Sequence, residues 1–333
     1  MERKQMKRVK KKRRLFLRRI LFFAILLFLV IAGYMGYVLF ETFQAASGSY
    51  SELARGDKSK LRTEAVEISE DPFSIILLGV ENYSSGGNGR TDSIMVATIN
   101  PKDQTVKLLS IPRDTRVYIE EEGEEDKINH AYVYGGKDAT INAVEDLLDI
   151  PIDYYATVNF EGFKEIIDEI GGVTVEVPFD FTEKSDIKGK DRIEFHEGTM
   201  TLNGEEALAY ARMRKQDPRG DFGRNDRQKQ IITAAVSSIF TPKNLLKVDE
   251  IASHVGDNIE TNMRVSEGLG LQSQFSNFKS SAIEQLKLEG SDEYIGGTYY
   301  FVPDEMQLIE LSTELENHLK QTTGAVEDES NEG

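Results

Sequence analysis

An unusual density of arginine lies in the second half of the chain. Residues 41–333 contain twelve arginines, and five of them fall within sixteen residues: Arg212, Arg214, Arg219, Arg224 and Arg227. Guanidinium groups bind phosphate oxygens through paired hydrogen bonds, and cations at the start of a helix are unfavourable unless an anion binds there. The cluster therefore predicts a phosphate-binding site. The alternative is that Asp217, Asp221 and Asp226 pair with these arginines in a surface network.

The backbone around this cluster must bend for the arginines to meet. Arg212 and Arg214 are two residues apart, so they face together only where the chain is extended, because helix neighbours are three or four residues apart. Residues 217–221 (DPRGD) supply a break. Arg224 and Arg227, three residues apart, then share a face at the start of the next helix. The sequence thus predicts two helices with the arginines gathered at the break between them.

Two further loops carry residues suited to the same chemistry. Residues 81–92 (ENYSSGGNGRTD) follow an apolar run and contain Arg90 and Asp92, and residues 111–115 (IPRDT) place Arg113 after another apolar run. Open α/β sheets bind ligands at the ends of their strands. Either loop alone could equally be a structural connection or an ion pair. Carboxylates that bind Mg²⁺, together with arginines that bind phosphate, are what phosphoryl transfer requires.

Other classes of chemistry find less support in the sequence. The chain has no cysteine, which excludes thiol catalysis, thiolate metal sites and disulfides. The four histidines are scattered and lack metal-ligand spacing: His130, His196, His254 and His318. There is no convincing Ser–His–Asp pattern. Phosphoryl transfer by carboxylates and arginines is therefore the chemistry that remains.

The segments around these residues alternate between strand-like and helix-like patterns. Strands are predicted at 73–80, 93–100, 106–111, 153–160, 173–177 and 299–302. Helices are predicted at 138–148, 163–170, 204–211, 225–240 and 306–320. Strands alternating with helices predict an α/β fold, in which a central, mostly β-sheet layer is sandwiched by helices.

An uncharged segment near the N-terminus has the length of a membrane span. Residues 20–40 hold no charged residue, and at about 1.5 Å per residue they cross a bilayer core of roughly 30 Å. Residues 1–19 hold eleven Lys and Arg and one acid, which favours a cytoplasmic tail. We therefore expect a single-pass type II protein of the cell membrane with an extracellular catalytic domain. Residues 45–48 (AASG) could instead be a signal-peptide cleavage site.

The rest of the chain divides by composition. Residues 41–71 are polar and predict an extracellular stalk, residues 72–320 the catalytic domain, and residues 321–333 an acidic, disordered tail. Residues 41–333 contain 29 basic and 56 acidic residues, a net charge of −27. Because such a domain would repel a phosphate backbone, nucleic acid is not an expected partner.

Eight segments follow one another in an order that a known family shares. They are Leu78–Glu81, Gly89–Ser93, Ser110–Thr115, Lys127–Tyr132, Asp153–Tyr155, Ile170–Val173, Leu202–Arg214 and Asp217–Gln228. In these segments the chain resembles the LytR-CpsA-Psr family, the wall-polymer ligases of Gram-positive bacteria. The resemblance covers about residues 73–240, and residues 241–333 add no motif of their own.

The resemblance implies a transferase. Its donor would be an anionic, teichoic acid-like glycopolymer on undecaprenyl pyrophosphate, and its acceptor the 6-hydroxyl of N-acetylmuramic acid in peptidoglycan. It implies Mg²⁺ (or Mn²⁺) held by Asp92 and by Glu81, which stands where the family usually has Asp and could act through water. The implied pyrophosphate clamp comprises Arg90, Arg113, Arg212, Arg214, Arg219, Arg224 and Arg227. Gln228 would assist by hydrogen bonding, and Asp221 or a metal-facing carboxylate would serve as general base.

Two other functions use the same residues. A lipid-pyrophosphate pyrophosphatase would need the same arginines and metal, with water as the acceptor. A non-catalytic regulator would bind wall precursors without transferring them. The identity of the products, formed with and without peptidoglycan, distinguishes these alternatives from the transferase.

Overall fold

A six-stranded mixed β-sheet forms the centre of the protein in its computed structural model. The structure describes residues 49–68, 70–80, 89–187, 189, 191–239, 258–264, 267 and 280–320. The predicted cytoplasmic tail (1–19), transmembrane helix (20–40) and acidic tail (321–333) lie outside these residues. No helix within the described ranges is long and apolar enough to cross a membrane.

Runs of strands are separated by single helices or by a pair of helices. The strands are β1 (Phe73–Val80), β2 (Thr91–Asn100), β3 (Thr105–Ile111), β4 (Arg116–Ile119), β5 (Glu124–Lys127), β6 (Tyr154–Asn159), β7 (Val173–Val177), β8 (Phe181–Lys184), β9 (Arg192–Phe195), β10 (Gly198–Leu202), β11 (Ile259–Thr261), β12 (Ile283–Lys287), β13 (Gly290–Ile295) and β14 (Thr298–Pro303). The helices are α1 (Ile128–Leu148), α2 (Phe160–Glu169), α3 (Gly204–Arg212), α4 (Asp221–Ile239) and α5 (Glu305–Lys320).

The central sheet has the strand order β11-β6-β1-β2-β3-β12. Strand β1 pairs antiparallel with β2 and parallel with β6. Strand β3 pairs antiparallel with β2 and parallel with β12. The end of β3 and the start of β2 therefore lie at the same edge of the sheet, with Ile94 opposite Ile111. This register brings together the two loops that the sequence singled out.

Both faces of the sheet are covered by helices. On one face Ile76, Val96 and Leu109 are fully buried in one cluster with Val144 of α1 and Leu315 of α5. Each such side chain contributes about 1.5–3 kcal/mol on burial. The other face presents apolar residues that include Met95 and Leu108, and Ile232 of α4 packs against them. This arrangement confirms the predicted α/β sandwich, with a mixed central sheet.

A second, smaller core lies beneath α3 and α4. Strand β7 alternates inward-facing Val173 and Val175 with exposed residues, as its period of two predicts. Phe181 stacks on Phe195 with ring centroids 4.6 Å apart, and Phe195 lies 5.6 Å from the ring of Tyr210. This aromatic core fixes α3, the helix that leads into the arginine cluster.

The sequence located most of the elements, with shifted ends. The helix predicted at 138–148 begins earlier, at Ile128, and its non-helical residues Gly135 and Gly136 interrupt the pattern on which the prediction relied. Eight strands were not predicted: β4, β5, β8, β9, β10, β11, β12 and β13. Strand β5 reads EEDK, so it has no apolar alternation to reveal it. Such ribbons depend on backbone pairing rather than on side-chain pattern.

The predicted stalk is different from expectation where the structure describes it. Arg55 donates to the buried carboxylate of Glu145 at 2.8 Å, and the Ser59 hydroxyl donates to the same carboxylate at 2.6 Å. Arg62 forms two hydrogen bonds, of 3.0 and 2.8 Å, with Asp153. This part of the chain is therefore packed against the folded domain, because its cations satisfy carboxylates that the domain buries.

Candidate functional site

A carboxylate and an arginine meet where β2 begins and β3 ends. Nη1 of Arg113 donates to Oδ1 of Asp92 at 2.8 Å. Both side chains reach solvent, with 26% of Arg113 and 40% of Asp92 exposed. Asp114 follows and accepts from Nζ of Lys127 at 2.8 Å, while Nε of Arg113 lies 3.7 Å from its Oδ2. The four groups form a chain of alternating charge that is most open to solvent at Asp92.

Helix α4 is joined to this strand end through a hydrogen bond. The hydroxyl of Ser93, next to Asp92, lies 3.3 Å from Oε1 of Gln228 and donates to it. Gln228 therefore helps to hold α4 against β2. The predicted role of Gln228 in ligand binding stays a prediction.

The helix break that the arginine spacing predicted is present. Helix α3 starts with a capping box, in which Asn203 and Glu206 each accept from the other's backbone N–H. It ends at Arg212, because Met213 is extended with φ −58° and ψ 130°. Helix α4 then begins at Asp221, whose side chain lies outside what the structure describes.

Arg227 points away from solvent into the junction of α3 and α4. Its side chain is 1% exposed and donates to the backbone carbonyls of Tyr210, at 3.1 Å, and of Met213. It also forms an ion pair with Asp217, whose side chain is fully buried. Arg227 thus ties the segment after α3 to the first turns of α4, although sequence reasoning placed it among the phosphate contacts.

The groups around Arg227 are held in fixed protonation states. Burial opposes ionisation of Asp217, but hydrogen bonds from the Arg219 N–H and from Arg227 outweigh it and lower the Asp217 pKa. Burial raises the pKa of Tyr210 to about 12, although the charge of Arg227 opposes that shift. A Cβ at Gly223 would collide with the Asp217 carboxylate, so glycine is required for this close approach. The junction of α3 and α4 is therefore tightly packed around the ionised carboxylate of Asp217.

The remaining arginines occupy several places around the strand end. Arg219 is 54% exposed and pairs with Asp226 at 2.6 Å. Arg212 is exposed and lies 5.0 Å from the ring centroid of Phe160. Arg90 and Arg214 are exposed, whereas Arg224 is buried. The structure thus brings Arg113, Arg219 and Arg224 together near the end of β3. The other arginines lie farther from this strand end or, like Arg227, are buried beneath the surface.

Two adjacent cavities lie beside these arginines. The smaller one, of ≈ 20 Å³, is lined by residues that include Arg113, Asp114 and Arg224, and it has room for about one water. The larger one, of ≈ 560 Å³, has the volume of a small-molecule site. It is lined by Ser110, Pro112, Arg219, Asn225, Asp226, Lys229, Lys287 and Leu288. Both cavities share Pro112 and Asn225, which separate them.

The donor set suits a magnesium ion only in combination with substrate. Within the described ranges no group of three or more His, Cys, Asp or Glu could hold a metal ion. Asp92 offers one solvent-facing carboxylate, and Glu81 lies outside the described residues. Mg²⁺ is commonly held by one or two carboxylates with waters and substrate phosphates. The Asp92 carboxylate therefore fits this ion, with substrate phosphates completing its ligands.

Sequence reasoning missed the basic residues that line the larger cavity. Lys229 and Lys287 lie on α4 and β12, and Ser110 lies on β3. Lys287 and Ser110 are opposite each other across the β3–β12 pair, although they are far apart along the chain. No local pattern marks such residues, because only the pairing of β12 with β3 brings them together.

The comparisons with known proteins agree with this architecture. The profile of the LytR_cpsA_psr family matches residues 36–317, which is most of the chain. The chain therefore belongs to the LytR-CpsA-Psr family, as its motifs predicted. It is 52% identical over 311 residues to the polyisoprenyl-teichoic acid–peptidoglycan teichoic acid transferase TagV of Bacillus subtilis, covering 92% of this chain and 80% of that protein.

Solved structures of the family share the fold. The crystal structure of B. subtilis TagV matches with a TM-score of 0.69 at 52% identity, covering 76% of this chain and 99% of that one. The family protein YwtF (TagT) with bound octaprenyl pyrophosphate lipid matches with a TM-score of 0.64 at 34% identity, covering 82% of this chain and 100% of that one.

Proposed function

We propose that this protein is a phosphotransferase of cell-wall biogenesis. It moves an anionic, teichoic acid-like glycopolymer from undecaprenyl pyrophosphate to the 6-hydroxyl of N-acetylmuramic acid in peptidoglycan. One observation carries the proposal: the Asp92–Arg113 pair adjoins a cationic cavity of ligand size in a chain similar to TagV, which is named as such a transferase.

The reaction is a single phosphoryl substitution. The acceptor oxygen forms a bond to the phosphorus that carries the glycan, and the bond from that phosphorus to the bridging oxygen of the pyrophosphate breaks. Undecaprenyl phosphate leaves with the bridging oxygen, and the hydroxyl proton passes to a base. Asp221 or a metal-facing carboxylate takes this proton. The polymer is then joined to peptidoglycan through a phosphodiester.

The arginines supply positive charge around the pyrophosphate. Arg113 and Arg219, both open to solvent, are placed to bind its oxygens, and Arg224 lies behind Arg113 in the smaller cavity. Arg90, Arg212 and Arg214 extend this charge over the surface. Fixed cations stabilise the charge that develops on phosphoryl oxygens in the transition state. Arg227 contributes by holding the segment that carries Arg214 and Arg219.

Mg²⁺ (or Mn²⁺) is the proposed metal. Asp92 would hold it, with Glu81 as a second ligand through direct or water-mediated contact. When bound, the ion neutralises phosphate charge and polarises the phosphoryl group. The ion pair of Asp92 with Arg113 orients the carboxylate before the metal and substrate arrive.

The chain is proposed to work at the outer surface of the cell membrane. Residues 20–40 would form the anchor, with the basic residues 1–19 in the cytoplasm and the domain outside. A single span of this kind keeps the site close to a lipid-linked donor. The donor and peptidoglycan are then both within reach of the same domain.

A reconstitution with defined substrates tests this function. The full chain in detergent micelles is mixed with a synthetic prenyl-pyrophosphate glycan, peptidoglycan oligomers and Mg²⁺, and the products are identified by mass spectrometry. Wild type is expected to form the glycan–muramic acid phosphodiester. Asp92→Asn is expected to lower this rate at least about 100-fold and to abolish the rise in melting temperature that Mg²⁺ and the donor give together.

A matched control and two contrary outcomes complete the experiment. Asp146→Asn removes an exposed carboxylate that pairs with the surface residue Lys60, and it should behave as wild type. Hydrolysis of the donor without conjugate would identify a pyrophosphatase. Tight binding of an intact donor would identify a regulator.

A further inference from the structure

The larger cavity contains a buried ammonium group that lacks a carboxylate partner. Lys229 is 7% exposed, and its Nζ donates to the carbonyl of Leu286 at 3.0 Å. Among the described side chains, no carboxylate lies within ion-pair distance of this Nζ. The other cations of the cavity differ, because Arg219 pairs with Asp226 and Lys287 pairs with Glu289. The cavity therefore retains one positive charge that forms no ion pair with a carboxylate of the described residues.

The electrostatics of Lys229 favour an anionic ligand. Burial lowers the pKa of Lys229, and the nearby Lys287 adds to this, while Asp226 opposes it. A buried ammonium without a carboxylate is costly, and an anion in contact with it would remove that cost. The hydroxyl of Ser110 offers a further hydrogen bond to such a ligand.

The cavity is distinct in position from the strand-end pair. In the sheet, β3 lies between β12 and β2. The backbone of Lys287 on β12 is therefore about 10 Å from β2, the strand that carries Asp92. Arg219, 54% exposed, stands at the mouth of the cavity and Lys229, 7% exposed, lies within it, so a pyrophosphate bound by Arg113 and Arg219 leaves Lys229 for a further anionic group. Six of the eight lining residues are polar or charged, and Pro112 and Leu288 are the apolar members.

A donor with further phosphates along its glycan part matches this layout. Resting on the transferase function proposed above, we propose that the Lys229 cavity binds a phosphodiester of the polymer itself while the pyrophosphate lies at Asp92 and Arg113. The cavity then distinguishes between polymers by whether they carry phosphodiester groups. Donors that carry a phosphodiester near the pyrophosphate are favoured over neutral ones.

Two matched donors test the inference with the full chain in detergent micelles. Both are synthetic prenyl-pyrophosphate glycans, and one carries an additional phosphodiester-linked glycerol phosphate. Wild type should show a lower KM for the phosphate-bearing donor. Lys229→Met should raise that KM about tenfold and leave both kcat and the KM of the neutral donor unchanged. Lys229→Arg, which keeps the charge, should preserve the preference.

Control variants separate binding from folding. Lys229→Met removes a buried charge and should melt no lower than wild type without ligand, since apolar replacement of buried ions is often neutral or stabilising. Lys60→Met removes a surface lysine that pairs with Asp146 of α1, on the other face of the sheet, and should leave both KM values unchanged. An equal loss for both donors in Lys229→Met, or no donor preference in wild type, overturns the inference.

A binding measurement distinguishes this inference from the transferase proposal. A soluble oligo(glycerol phosphate) without lipid is titrated into wild type and Lys229→Met by calorimetry. Binding by wild type that Lys229→Met weakens about tenfold supports the cavity assignment even where no conjugate forms with either donor. In that case, the absence of conjugate would contradict only the transferase proposal and not the cavity assignment. Absence of binding by wild type, or equal binding by both proteins, rejects the cavity assignment.

Discussion

Arg113 and Arg227 belong to one arginine-rich site but have opposite surroundings. Arg227 is 1% exposed, and two backbone carbonyls and the buried carboxylate of Asp217 accept its hydrogen bonds. Arg113 is 26% exposed and contacts Asp92, which is itself 40% exposed. One guanidinium is satisfied by the protein, whereas the other is partly open to solvent, and its buried Nε has no hydrogen-bond partner among the described residues.

The difference separates positioning from binding. A buried arginine surrounded by protein acceptors holds backbone segments in place, and its removal leaves those acceptors unsatisfied. A half-exposed arginine at a strand end can exchange water for phosphate oxygens. For Arg227 the geometry therefore favours a positioning role over direct contact with phosphate, and for Arg113 it favours contact.

The largest effect is expected at Arg227. Arg227→Met removes the buried cation that hydrogen-bonds to the Asp217 carboxylate, so the free energy of unfolding should fall by about 3–5 kcal/mol, measured by urea denaturation. Arg219→Met is the matched control, because Arg219 is 54% exposed, so its pair with Asp226 and its longer contact with Asp217, at 3.8 Å, should each contribute at most about 1 kcal/mol. If Arg227→Met kept its stability but lost transfer activity, Arg227 would instead be assigned to direct contact with phosphate.

The next effect concerns activity rather than stability. Arg113→Ala should lower the transfer rate about 10²–10³-fold, because a fixed donor to the phosphoryl oxygens is lost. Its free energy of unfolding should change by at most about 1 kcal/mol, since the Arg113–Asp92 pair is partly exposed. Parallel kinetics and urea denaturation give both quantities. If Arg113→Ala lost stability but kept its transfer rate, Arg113 would have a structural role like that of Arg227, and the proposed contact with phosphate would be wrong.

A smaller, pH-dependent effect is expected at Asp217. Its folded pKa lies below the ordinary value of 3.8, so its ionised form stabilises the fold above that value, and this contribution is lost as the pH falls through the folded pKa. Asp217→Asn should be less stable than wild type at neutral pH, and the difference should shrink below about pH 4. Urea denaturation at several pH values measures it.

The control for this titration is an exposed carboxylate in the same segment. Asp226 is 48% exposed and pairs with Arg219. Asp226→Asn makes the same change of charge and should show a small difference from wild type at every pH. Equal pH profiles for the two variants would mean that burial of Asp217 does not control its titration.

Part of the fold and site could be predicted from local pattern. Strands β1 and β7 have the predicted bounds, because the apolar run of β1 has the length of a strand and β7 alternates strictly between buried and exposed residues. The arginine spacing correctly required a break after Arg212. The charged strand β5 and the kinked start of α1 escaped prediction, because neither has a regular apolar period.

The sequence by itself determined the family and the α/β class, and it predicted which residues could bind phosphate, since these depend on residue type and short spacing. Only the tertiary structure decided which arginine is buried, that residues 49–71 pack on the domain where they are described, and that Lys229 lines a cavity. Those features depend on contacts between distant residues, such as the bond from Arg55 to Glu145, ninety positions apart. Burial and pairing of that kind have no local period, so folding alone establishes them.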